Sequence, residues 1–376
     1  MDFNLDEELI DVQGLARDIF DGRAATDRVR EVEATATRVD DVLWGDLAKT
    51  GLLGLALPEE YGGAGLGLDA ACVVLEEQGR HVAPVPLWSA VVAALAVARD
   101  GSPAQRDALL PGAADGSLRL TLALEEFDGA APSAPTTTAT RAADGWLLNG
   151  VKAVVPTPGG ADHVLVSATT PDGAGLFLVA NTDLAWEQAE TTSLDLAGTL
   201  TLTDTPAEAL GEPGGRALAA ALRQAALALA AVQVGVADGA MRLAASYTST
   251  REQFGRPLGS FQAVQHQLAD CWIDVDAMRV TLWQALTDDA DAGNGNGNGN
   301  EAGADRSALV AKWWCDQAGL DVVHRVQHVH GGIGVDVDYP VHRHFLWGKQ
   351  ISSTLGGSSA ALADLGALLA VEEVTS

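Results

Sequence analysis

The spacing of apolar residues changes period twice along this chain, which restricts it to helical segments on either side of a β region. Apolar positions recur at three-to-four spacing in Leu9–Phe20, Val29–Leu47, Ala70–Arg80 and Leu87–Ala98, predicting helices over those ranges. Pro58 and the run Gly62-Gly63-Ala64-Gly65-Leu66-Gly67 interrupt the pattern. No strand precedes that run and no Lys-Ser/Thr pair follows it, so it is not a phosphate loop. From Leu118 to residue 212 short β-type runs take over: Leu118–Leu124, Thr136–Arg141, Trp146–Leu148, His163–Ser167, Gly175–Ala180 and Thr199–Leu202. Ala-Ala-Asp-Gly before Trp146 signals a hairpin. Helical spacing returns near 214, with an alanine-rich stretch at 216–250, two further helices at 259–289 and 303–330, and a last one beginning near Ser358. The alternating Gly-Asn run at 293–300 cannot pack, which predicts an exposed flexible loop over 291–302. The expected class is α+β: an N-terminal helical bundle (1–118), a central small β-barrel or sandwich (119–213) and a C-terminal four-helix bundle (214–376).

A length of 376 residues suits two or three packed domains, and 47% hydrophobic residues can fill their cores. The net charge of −28 repels nucleic acid and anionic membrane surfaces, and any anionic ligand must be held by local donors. No run of 18 apolar residues lacks charges, so no membrane span is expected. The acidic start, Met1 to Glu8, lacks the basic and apolar regions of a signal peptide, giving a cytoplasmic expectation. Cys72, Cys271 and Cys315 have no metal-like spacing and read as buried hydrophobes. His328, His330, His342 and His344 match no metal motif, and no metal site is expected.

Three dispersed stretches go further. Leu57-Pro58-Glu59-Glu60-Tyr61-Gly62-Gly63 is followed by Leu75-Glu76-Glu77-Gln78-Gly79-Arg80. Later come Arg251-Glu252-Gln253-Phe254-Gly255-Arg256-Pro257-Leu258-Gly259 with Phe261-Gln262 and Gln265-His266. The third is His330-Gly331-Gly332-Ile333-Gly334, then Asp338-Tyr339-Pro340 and Arg343. Together, and in this order, they resemble the signatures of the acyl-CoA dehydrogenases across the whole chain. The resemblance implies FAD, an acyl-CoA substrate, removal of the α proton by a carboxylate with loss of the β hydrogen as hydride, and an electron-transfer flavoprotein as acceptor. It also implies a cofactor site shared between two subunits. On the partner-facing side, Arg251 would pair with the pyrophosphate, Phe254 and Gln262 would flank the adenosine, and Gly331 and Gly332 would admit the cofactor closely. His328 stands where the family usually has glutamine.

The other half departs from the family pattern. The stretch Leu124-Glu125-Glu126-Phe127-Asp128-Gly129-Ala130-Ala131 keeps a glutamate but lacks the proline and serine of the family's flavin-ring loop. After Asn149-Gly150-Val151-Lys152, the strand that carries Trp-Ile-Thr in the family reads Val154-Val155-Pro156. The usual base position, in Leu355-Gly356-Gly357-Ser358, holds Gly356, and the alternative position on the long helix holds Ala225, with Ala226 beside it. Other carboxylates could stand in, Asp238, Asp336 and Asp338 among them, and spacing favours none. No catalytic residue is therefore assigned.

The chain thus resembles the base-less subunit of actinobacterial heterotetrameric dehydrogenases that degrade steroid side chains. That resemblance implies an α2β2 assembly in which it completes the FAD site of a catalytic partner. Two other readings stay open: a self-sufficient homo-oligomeric dehydrogenase with a relocated base, and a flavin-free binding or scaffold protein on the same fold.

Overall fold

The computed structural model describes residues 5–127, 129–293 and 300–375. The first helices are α1 (Glu7–Arg23), α2 (Thr26–Glu33), α3 (Asp41–Lys49), α4 (Leu68–His81), α5 (Leu87–Asp100) and α6 (Pro103–Asp115). The helix expected over Val29–Leu47 is two helices. The chain breaks between them, with Arg38 left-handed at φ 53°, and Asp40 restarts it by accepting from the N–H groups of Val42 and Leu43 at 3.1 and 3.2 Å. Helix α6 was not expected. It carries its own start signal, a capping box in which Ser102 and Gln105 bond each other's main chain, with Pro103 in the first turn.

The strands are β1 (Leu120–Ala123), β2 (Thr138–Ala142), β3 (Gly145–Pro156), β4 (His163–Thr170), β5 (Gly173–Ala180), β6 (Ala185–Glu190) and β7 (Leu196–Leu210). Their order is β1-β4-β2-β3-β7-β5, β6 pairs with β7, and β4 also pairs with β5. The last pairing closes the ring, so this is a barrel rather than a sandwich, and closure removes two sheet edges. The expected hairpin joins β2 to β3, with Ala142 opposite Gly145 at φ 108°. Trp146, Leu148, Val164, Val166, Phe177, Val179 and Leu200 fill the barrel. Trp146 meets Phe177 edge-on at 5.4 Å.

Beyond the barrel come α7 (Ala217–Thr250), the short strands β8 (Glu252–Gln253) and β9 (Arg256–Pro257), α8 (Gln262–Gly293), α9 (Glu301–His330), α10 (Val341–Ile351) and α11 (Gly357–Thr375). Of the loop expected over 291–302, residues 294–299 lie outside the described residues. Residues 291–293 finish α8, and Asn300 caps α9 by accepting from the N–H of Gly303 at 2.9 Å. Although no membrane span is expected from uncharged runs, two helices are long and apolar enough to cross a bilayer by length and hydropathy alone, at 217–250 and 354–371. The first is largely buried inside the protein, as a core helix is.

Contacts group the chain into two compact units that interleave in sequence: residues 1–29, 72–83 and 226–376 form one, and residues 30–71 and 84–225 the other. In the first unit, α4 and α7 touch at glycines. A Cβ on Gly235 would lie 1.9 Å from the carbonyl oxygen of Glu76, and one on Gly79 would lie 2.1 Å from that of Val232. The Leu-Glu-Glu-Gln-Gly-Arg signature is therefore a packing and charge-pairing device. Arg80 reaches Asp238 at 2.6 Å and Glu76 at 3.0 Å and also bonds Glu77. Arg279 reaches Glu76 at 2.7 Å, and Arg17 reaches Glu77 at 3.0 Å. Burial opposes the Arg80 charge, but the three carboxylates more than offset it and raise its pKa.

Candidate functional site

Arg251 opens the segment that follows α7, its N–H donating to the carbonyl of Tyr247 at 2.9 Å while its own carbonyl accepts from Leu258 at 2.8 Å. Strands β8 and β9 then form a minimal hairpin whose two turn residues are Phe254 and Gly255, at φ 54° and 78°. Two consecutive left-handed residues are what a type I′ turn demands, and Gly255 is suited to that, whereas phenylalanine is strained there. Phe254 is also 92% exposed. A large aromatic held in an unfavourable conformation and in water marks a site shaped for something other than monomer stability. Its support is the ring of Phe261, 6.1 Å away and edge-on, which in turn lies 4.0 Å under the Arg256 guanidinium. Gln262, the first residue of α8, is exposed beside them.

The second cluster ends α9. His328 is exposed, and Gly331 takes φ 62°, ψ −141°, a conformation that L side chains rarely adopt. A Cβ at Gly331 or Gly332 would meet nothing within 4 Å, so both face open space in this chain. The two clusters are tied together by rings. Tyr247, one helical turn before Arg251, stacks on His330 at 4.7 Å, and Tyr339 closes on both at 6.4 and 5.4 Å. His330 is buried, and its Nδ1–H donates to the carbonyl of Val326 at 2.8 Å. His342 and His344 are likewise spent on main-chain carbonyls, those of Tyr339 at 2.8 Å and Arg80 at 3.1 Å. The motif residues Arg251, Phe254, Gln262, His328, Gly331 and Gly332 are all exposed.

At the base positions there is no proton acceptor. Gly356 sits at φ 85° between Leu355 and Gly357, which are also left-handed, and a Cβ there would lie 2.8 Å from that of Ala360. Ala225 is fully buried. Asp238 is buried and held by Arg80 and by Arg242 at 2.7 Å. Burial pushes its carboxyl up, but the two guanidiniums outweigh that and hold it below the usual range. Asp336 and Asp338 are exposed at the surface.

The loop at 124–131 is occupied by the chain itself, with Asp128 outside the described residues. Glu126 accepts from the N–H groups of Thr136 and Thr137 at 2.7 and 3.0 Å, from the Thr136 hydroxyl, and from Lys152 Nζ at 2.6 Å. Lys152 is fully buried and also donates to Ser167 at 2.9 Å. Burial raises the Glu126 carboxyl, yet Lys152 and the threonines bring it down to about 2. Burial brings the Lys152 ammonium down to about 8 against the pull of Glu126. On β3, Val154 is left-handed at φ 51°, Val155 is buried, and Pro156 has no N–H and spends its carbonyl on Thr121. Glu126 is saturated by the chain's own donors, and Val154-Val155-Pro156 offers a flavin ring neither the aromatic nor the hydroxyl that the family's strand carries; Phe127, 55% exposed, is the aromatic of the loop. Arg251, Phe254, Gly331 and Gly332 do fit the distal half of FAD, as an exposed cation, an exposed aromatic and open glycines. The role of Lys152 was missed because its partner lies 26 residues away and only barrel closure brings them together. The stacking of Tyr247 on His330 and Tyr339 is hidden in the sequence because Tyr247 lies on α7, far upstream of the signature that holds the other two.

Comparisons with known proteins identify the family. Residues 6–117 match the family model described as acyl-CoA dehydrogenase, N-terminal domain, and residues 213–367 match the C-terminal domain model. Acyl-CoA dehydrogenase FadE27 of Mycobacterium tuberculosis is 38% identical over 98% of this chain and 99% of its own length. A chain of a variant of the Tcur3481-Tcur3483 steroid ACAD is 61% identical, with TM-score 0.93 over 98% of this chain and 99% of that one. A chain of the ChsE4-ChsE5 complex from Mycobacterium tuberculosis is 37% identical, with TM-score 0.90 over the same shares. The chain belongs to the acyl-CoA dehydrogenase family, a family of oxidoreductases.

Proposed function

We propose that this chain is the base-less subunit of an FAD-dependent steroid or lipid acyl-CoA dehydrogenase, completing the FAD site of a catalytic partner in an α2β2 heterotetramer. The observation that carries the reading is an asymmetry. Arg251, Phe254, Gln262, Gly331 and Gly332 are present and exposed, with His328 in place of the usual glutamine, while both base positions lack a carboxylate and the strand that carries Trp-Ile-Thr in the family reads Val154-Val155-Pro156. In the complete site, Arg251 would hold the pyrophosphate, Phe254 and Gln262 would flank the adenosine, and the Gly331-Gly332 turn would admit the cofactor, with His328 beside it. FAD, when bound, supplies the hydride acceptor for α,β-desaturation of the acyl-CoA; the α proton must go to a carboxylate of the partner, since this chain offers none at either position. That two solved relatives carry paired names, Tcur3481-Tcur3483 and ChsE4-ChsE5, supports a two-chain assembly. An electron-transfer flavoprotein is the proposed acceptor.

The test is a flavin titration of the two-subunit complex carrying Arg251→Ala in this chain only. Loss of one guanidinium–pyrophosphate pair should weaken flavin binding by about 2 kcal/mol, roughly thirtyfold, with the fold intact. Unchanged flavin affinity would defeat the reading.

A further inference from the structure

The geometry points to the outer face of α8, with Trp272 and Ile273 between Asp270 and Asp276, as the surface that selects a different, basic-rimmed dehydrogenase subunit over a second copy of this chain. The inference rests on the half-site reading in taking that partner to be of the same fold. Positions 262, 265, 266, 269, 272, 273 and 276 step by three and four along α8, so they form one stripe, and all of them are exposed. The stripe runs about 21 Å at 1.5 Å per residue, from Gln262 to Asp276. Its start is thus the cofactor-flanking end of the helix. The opposite face of α8 is the bundle's own core: Cys271, Val275, Met278 and Leu282 are buried.

Near its first third, therefore, α8 is apolar on two sides, and the monomer covers only one. Trp272 and Ile273 are each 62% exposed, side by side. A tryptophan left this far out of a core is characteristic of a binding anchor, which gains most when its whole surface is desolvated in a pocket. The rim around the anchor is acidic. Asp270 and Asp276 are exposed and make no ion pair among the described residues, while Asp274 between them is bonded to Arg325. His266, one turn earlier, is exposed on the same stripe.

The spacing of that rim decides between partners. Asp270 and Asp276 lie three residues to either side of Ile273. A two-fold interface uses the same patch on both chains. Two copies of α8 packed antiparallel about Ile273 would set each Asp270 opposite the other copy's Asp276, with four carboxylates around one apolar contact and a charge of −28 on each body. A subunit with lysine or arginine at those places would instead complement the rim. The repulsive element excludes self-pairing while the Trp272–Ile273 anchor supplies attraction, which is how discrimination between similar partners is built.

The test needs only this protein. Wild type, the Asp270→Lys/Asp276→Lys double variant and an equimolar mixture of the two are examined by native mass spectrometry and sedimentation at low salt. Charge reversal makes the mixed pair complementary and leaves both self-pairs repulsive. The mixed dimer should form about tenfold more tightly than either homodimer, and the preference should vanish at 1 M salt. Adding Trp272→Ala to both chains should abolish the mixed dimer; all the positions changed are exposed, so circular dichroism should show the fold intact. A mixed dimer no tighter than the homodimers, or one indifferent to Trp272→Ala, would overturn the proposal. Because no flavin enters the experiment, its failure leaves the half-site reading standing, and a failed flavin titration leaves this surface standing.

Discussion

Lys152 and Glu126 form an ion pair inside the barrel domain, 2.6 Å apart, with the lysine side chain wholly buried and that of Glu126 3% exposed. The pair fastens the loop at 124–131 to strand β3, where the family's flavin-ring contacts lie. Its four donors leave Glu126 no capacity for a ligand. Glu126→Ala should therefore destabilise the protein by about 3 kcal/mol, because it strands a buried ammonium. Glu126→Ala combined with Lys152→Met should recover much of that loss, since it removes both charges. Urea unfolding of the three proteins checks the order.

Stability should fall on acidification in a window set by His344. This side chain is buried, and burial pushes its pKa down to about 4 against the pull of two carbonyls. Above about 6.5, its unfolded value, folded and unfolded chains both carry neutral histidine and nothing is lost. Between about 6.5 and 4 only the unfolded chain takes up the proton, so stability declines as pH falls, by on the order of 3 kcal/mol in all. His344→Gln should flatten that part of a stability-against-pH curve, whatever it does to stability at pH 8.

Phe254 predicts a separation of stability from binding. Replacing it with glycine or asparagine relieves a left-handed aromatic in the turn and should leave stability unchanged or improve it by about 1 kcal/mol. Flavin affinity of the two-subunit complex should drop in the same variants. Thermal unfolding and flavin titration on one set of samples measure both.

Restoring a carboxylate should not restore chemistry to this chain. Gly356→Glu places a side chain at φ 85° against Ala360, and Ala225→Glu buries an acid at a fully covered position. Both should lower the unfolding midpoint, by about 1–3 kcal/mol of stability, and neither should oxidise any acyl-CoA without a partner. Turnover by Gly356→Glu alone would mean that the flavin-ring half is intact after all.

The family was legible because its signatures are local. Arg251 to Gly259 form a continuous hairpin, and the Gly331-Gly332 turn directly follows a helix end, so their residue types report their geometry. What sequence hid depends on distance or on weak signals. The break between α2 and α3 has no glycine or proline to announce it, since Arg38 itself takes the left-handed turn. Strand β6 lacks alternation because nearly all of it faces solvent. The pairing of Glu126 with Lys152 and the acid–arginine cluster around Arg80 join residues far apart in sequence, and their positions become meaningful only after the barrel and bundle close. The apolar anchor on α8 was overlooked for a different reason: a helix with apolar residues on two faces reads as a core helix until the fold shows which face is covered.

The half-site account stands or falls on flavin stoichiometry. The chain should be purified alone, and then with a dehydrogenase subunit that keeps its glutamate, and each preparation examined by visible absorption and native mass. A colourless chain alone, turning yellow only in a heterotetramer with about two flavins per four chains, is the expected result. A yellow homotetramer with one flavin per chain would contradict it.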